Sequence, residues 1–204
     1  MKTIFKNFTK TNSVSIYKII ALSIIVGTLA SCDKDDAAAP VNEEEVITTV
    51  SVTLTSSTNP GDVVTLLSKD TDADGPAQPT ITVSGQLQDN TTYNGKVTLL
   101  DETKNPADDI TAEILSDEDE KKDHQFFFEK IENLLGTFSY ADQDADGKPI
   151  GINFTFASGA PSQGKLLLTL RHEPNKSGAG VSAGDKTNAA GTTDVEASFP
   201  LVVQ

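Results

Sequence analysis

From residue 46 onward the sequence alternates, and a period of two admits a half-buried β-strand and little else. Val46, Thr48, Val50, Val52 and Leu54 make one apolar-leaning face. The opposite face carries Ile47, Thr49, Ser51 and Thr53, rich in β-branched residues that suit a pleated surface. The pattern recurs over residues 62–67, 80–87, 91–100, 125–131, 137–140, 150–157, 165–172 and 195–203, giving nine short strands in all. Turn signals punctuate them: Asn59-Pro60-Gly61, Asp74-Gly75-Pro76, Asn94-Gly95, Asp146-Gly147 and a Gly-rich stretch over 174–191. Regularly spaced strands without helical crossovers predict an all-β fold, an immunoglobulin-like antiparallel β-sandwich, over residues 46–204. One segment, 108–133, is ambiguous. Ile110, Ala112 and Ile114 alternate as on a strand, or with the charged run behind them begin a helix; a hairpin with an acidic tip at 116–123 is the expectation. With no Trp, the core falls to Val, Ile, Leu and Phe, and Phe126-Phe127-Phe128 is expected to serve both faces of its strand.

The N-terminus has another logic. Lys2, Lys6, Lys10 and Lys18, with no acid among them, lead into the apolar run 19–30. That is the layout of a signal peptide, and the run is short of the roughly 20 apolar residues a membrane-spanning helix needs. Leu29-Ala30-Ser31-Cys32 follows, an aliphatic residue and two small ones before the chain's only cysteine. It resembles the bacterial lipobox. The resemblance implies cleavage before Cys32 and lipid attachment to it, which explains a lone thiol in an exported chain that can form no internal disulfide. Residues 1–31 are thus expected as a lipoprotein signal peptide and 32–45, charged and without periodicity, as an acidic disordered tether. Lys34-Asp35-Asp36 also resembles the export signal of Bacteroidota lipoproteins displayed on the cell surface. The expected location is the outer membrane, lipid-anchored and facing outward.

Charge narrows the function classes. The whole chain carries a net −14, and losing the four N-terminal lysines brings the mature part to −18. Such a field repels nucleic-acid backbones and favours cations or basic partners.

Two loops share one pattern. Asp70, Asp72 and Asp74 before Gly75, and Asp142, Asp144 and Asp146 before Gly147, match D-x-D-x-D-G, in which alternate carboxylates can converge on a hard cation such as Ca²⁺. Neither loop has the distal acid of an EF-hand, since Ile81 and Asn153 stand at the twelfth positions. The competing reading is an acidic turn in which Asp-Gly supplies a positive φ. The only histidines, His124 and His172, lie at strand ends beside carboxylates. If brought together they can hold Zn²⁺ or ligate haem iron axially; apart, they are surface histidines. Arg171 either binds a ligand carboxylate bidentately or caps a strand end, the second being the expectation; the long loop 173–193 is functional or a flexible connection, again with the second expected. The sequence holds no nucleophile elbow, phosphate loop, H-E-x-x-H or Cys-His pair, so no enzyme is expected.

Residues 67–76, 93–103, 123–128 and 170–176 together resemble a family of small Bacteroidota envelope lipoproteins, some labelled as having a type 1 periplasmic binding fold. That label implies an α/β architecture, against the strand periodicity. For function the resemblance implies an accessory protein, associated with an outer-membrane nutrient receptor. The expected role is a non-enzymatic binding or accessory lipoprotein for a cation, nutrient or receptor; the alternative is a structural or adhesive surface module with calcium-rigidified loops.

Overall fold

The computed structural model describes residues 45–70, 72 and 77–204. The expected signal peptide, Cys32, the tether up to residue 44, and Asp74 lie outside the described residues.

All nine expected strands form, joined by a tenth of two residues. In chain order they are β1 (Thr49–Ser56), β2 (Val63–Lys69), β3 (Thr80–Val83), β4 (Thr92–Asp101), β5 (Asp108–Asp109), β6 (His124–Glu132), β7 (Gly136–Tyr140), β8 (Asn153–Ser158), β9 (Ser162–His172) and β10 (Thr192–Val203). They build two antiparallel sheets. The larger runs β3-β2-β1-β4-β8-β7, with β5 also against β4; the smaller runs β10-β9-β6. The chain is therefore an all-β sandwich, and the α/β architecture implied by the family label is not adopted.

Alternation delivers the core. On β1, Val50, Val52 and Leu54 point inward with Val64 and Leu66 of β2, Val97 and Leu99 of β4, and Phe154 and Phe156 of β8. They meet Phe126 of β6, Leu166, Leu168 and Leu170 of β9, and Phe199 and Leu201 of β10. Each fully buried side chain contributes about 1.5–3 kcal/mol, so a cluster of this size can offset the cost of ordering the chain.

Three expectations need correction. The hairpin over 108–133 is replaced by two short helices, α1 (Ile110–Ser116) and α2 (Glu118–Asp123), before β6 begins. The reason is local. Asp109 accepts the Ala112 amide and caps α1, whose Ile110 and Ile114, four apart, are both buried. Asp117 then accepts the amides of Asp119 and Glu120 and caps α2. Asn94-Gly95 is not a turn but lies inside β4, where a side chain at Gly95 would strike the Phe154 ring. Loop 173–191 is not a loose connection either. Phe127, on the outer face of β6, needs cover, and Val181 and Ala189 of the loop bury against it. Gln125 fastens the same loop by donating to the Val181 carbonyl at 2.9 Å.

Candidate metal centre

β6 and β9 pair in a register that sets His124 directly opposite His172, Phe126 opposite Leu170 and Phe128 opposite Leu168. His172 continues the inward series Leu166, Leu168, Leu170, and His124 continues Phe126 backward. Both imidazoles therefore leave the core-facing side of the small sheet at its end. Their rings stack with centroids 4.8 Å apart and planes 6° from parallel.

The third member comes from a defect in the ladder. Along β10, Val203 to Val195 pair regularly with β9, but the register shifts between Thr193 and Val195, and Asp194 is the extra residue. Such bulges re-aim a side chain. Here Asp194 Oδ2 stands 3.7 Å from His124 Nε2, with the two side chains only 6% and 2% exposed. One ligating atom from each of His124, His172 and Asp194 lies within 4.8 Å of the others.

The imidazole of His124 is held from behind. Its Nδ1 is 2.9 Å from the carbonyl oxygen of Glu120, the last full turn before the strand. With Nδ1 held there, Nε2 is the nitrogen turned toward Asp194, and a backbone-held Nδ1 is common among metal-ligating histidines. Among the described residues Nε2 is buried with no hydrogen-bond partner. A buried polar atom left this way calls for an explanation, and a coordinated ion supplies one.

Carboxylates crowd the same end. Glu45, Glu120 and His124 form a second set with ligating atoms within 4.8 Å. Glu45 is half-buried, and its carboxyl is pushed up to about 7, first by burial and then by the charges of Asp194, Glu120 and Glu113, with His172 partly offsetting them. A pocket of about 240 Å³ opens beside Glu45 and Asp194, lined also by Thr48, Asp70, Pro79 and Glu196. One side of the centre is thus reachable from solvent.

Two nitrogens and one or two carboxylate oxygens suit Zn²⁺ and similar borderline dications. Bonds of about 2.0–2.2 Å put tetrahedral ligand atoms about 3.3 Å apart, so the set closes on an ion when the two parallel rings rotate out of their stack. Haem does not fit the pair. Axial ligands face each other across a macrocycle, whereas these rings stack with nothing between them.

The Asp-rich loops are disposed differently. Asp142 accepts the amides of Gly151 and Asn153, both at 2.6 Å, and the Asn153 side chain at 3.2 Å. Asp144 accepts the Asp146 and Lys148 amides at Oδ1 and the Lys176 ammonium, 3.0 Å away, at Oδ2. Burial raises the Asp144 pKa, but these amides and the ammonium outweigh it and hold the carboxyl below its ordinary range. Burial pulls Lys176 below the ordinary lysine range, offset in part by Asp144. Asp146 is exposed and 3.4 Å from Lys122. Gly147 has φ +72°, as the acidic-turn reading requires. In the first loop, Asp70 accepts the Asp72 amide and Asp72 the Ala77 amide. Among the described residues, neither loop contributes to a set of three or more converging metal ligands. Arg171 donates to Thr193, its partner across the β9–β10 pair.

Asp194, Glu45 and Lys176 were not singled out by the sequence as site residues. Glu120 sits in the charged run beside His124, and its proximity to that histidine was the one available signal. Comparison with protein families, with curated proteins and with solved structures finds no match to this chain.

Proposed function

We propose that this chain is a lipid-anchored outer-membrane protein whose sandwich captures a borderline dication, Zn²⁺ foremost, as a non-enzymatic binding or accessory protein. The observation that carries the reading is the meeting of the chain's only two histidines, 48 residues apart in sequence, in one stack beside a bulge-borne aspartate. Its acidic surface supports the same reading, because a net charge of −18 after loss of the N-terminal lysines concentrates cations near the domain. The anchor is supported by Leu29-Ala30-Ser31-Cys32 and the Lys34-Asp35-Asp36 step behind it.

Calorimetric titration with Zn²⁺, Ca²⁺ and haem tests the binding. Zinc is expected to bind with one site per chain and to raise the thermal midpoint, while haem gives no heat. A chain indifferent to zinc and to other first-row dications defeats the proposal. The anchor is tested separately. Cys32→Ser should move the protein from the membrane to the soluble fraction or stall its processing, and unchanged membrane association argues against lipidation.

A further inference from the structure

The centre draws its side chains from one sheet and from two segments that lead into strands. His124, His172 and Asp194 belong to the three-stranded sheet, and Glu120 to the helix that feeds it. Glu45 belongs to neither. It stands at the start of residues 45–48, the lead-in to β1 of the large sheet. That lead-in is tied to its own sheet: the Thr48 amide donates to Leu100 at 3.0 Å, the Thr48 carbonyl accepts the Asp70 amide at 2.8 Å, and Ile47 packs on the core. Glu45 alone reaches toward the histidines. Its Oε2 is buried and without a hydrogen bond among the described residues. His124 is the member common to the Glu45–Glu120 set and the His172–Asp194 set.

We propose that Glu45 closes onto the same dication as His124, His172 and Asp194 and completes a four-ligand shell, so that the bound ion clasps the lead-in of β1 to the end of the small sheet. The inference rests on the metal reading. Two imidazole nitrogens and two carboxylate oxygens form a four-coordinate shell of the kind zinc takes. Glu45 now converges with Glu120 and His124 and must swing toward Asp194 to join the shell; its long side chain and Asp194 border the same solvent-open pocket. The clasp links residues 79 apart in sequence, Glu45 and His124, across the sandwich. Metal occupancy thereby sets how firmly residues 45–48 are held, at the point where the domain joins everything N-terminal to it. The ion is both cargo and fastening.

Hydrogen exchange read by mass spectrometry, with zinc chloride titrated by calorimetry on the full chain, tests this. In the wild type zinc should slow exchange at residues 45–48 at least tenfold and also protect the ends of β6 and β9. Glu45→Gln, which removes a charged direct ligand, should bind zinc more than about 10-fold more weakly, keep protection at His124 and His172, and lose it at 45–48. An unchanged metal-free thermal midpoint for Glu45→Gln certifies its fold; Glu45→Asp, a more conservative change, provides a second check and should fall between the two. Zinc binding with no slowing at 45–48, or a Glu45→Gln variant as tight and as protected as the wild type, overturns the clasp and leaves the histidine centre standing. No zinc binding by the wild type overturns both.

Discussion

Two clusters of potential metal ligands lie in one chain, and they differ in what already occupies their lone pairs. The loop Asp142 to Gly147 has the motif of a cation site, yet Asp142 is taken up by amides and Asp144 by amides and the buried ammonium of Lys176. The histidine end has no sequence motif, yet among the described residues His124 Nε2 is buried without a hydrogen bond, its neighbour Asp194 Oδ2 standing 3.7 Å away. A buried carboxylate that has found its donors is structure; a buried nitrogen that has not is an offer to a ligand. Ligand type and spacing in sequence do not separate the two cases.

The sharpest way to break the comparison is to take the internal cation from the loop. Lys176→Met leaves Asp144 charged and buried without its ion partner, and should cost about 3–5 kcal/mol in urea unfolding. Adding Asp144→Leu should restore much of that. Should the single variant lose under 1 kcal/mol, the pair is not what holds the loop. Next in size, His172→Ala should weaken zinc binding by more than about 100-fold, beyond the 10–100-fold typical of outer-shell changes. The measurement is again calorimetric, and an affinity within about threefold of wild type would remove the histidine centre from consideration.

An acid titration separates the clusters further. Because the folded-state pKa of Asp144 is depressed, its stabilisation is fully present above the ordinary Asp value of about 3.9 and is lost as the pH falls through the lower folded value. Asp144→Asn should therefore flatten the acid limb of a stability–pH curve below about pH 4, with the wild type steeper there. The smallest effect is expected at Asp146, exposed and loosely paired: Asp146→Asn should change stability by no more than about 0.5 kcal/mol. A larger loss, or one that appears only in millimolar Ca²⁺, would return the loop to the candidate cation sites.

The strands were legible because alternation is a local signal, and Val50, Val52 and Leu54 state their inward face without reference to anything distant. The same signal was present at the site. His124 is in phase with Phe126, and His172 with Leu166, Leu168 and Leu170, so each histidine could be assigned to the inward face of its own strand. What no local pattern carries is that β6 lies beside β9 in the register that joins them. Asp194 was harder still, since a bulge is defined by the partner strand and leaves no periodic trace. The helices over 110–123 escape the alternation signal because they rest on the caps Asp109 and Asp117, and a cap is a matter of local geometry with no hydrophobic period. Lys176 was read as part of a flexible loop because its partner, Asp144, is 32 residues away.

The bulge at Asp194 has a genetic side. Deleting that one residue between Thr193 and Val195 would restore an uninterrupted ladder, leave the inward series from Val195 to Val203 where it is, and remove one carboxylate from the candidate site in the same event. A single codon therefore separates an uninterrupted ladder from one that carries the proposed metal ligand Asp194. Descendants of such a chain can gain or lose the site by the smallest in-frame insertion or deletion.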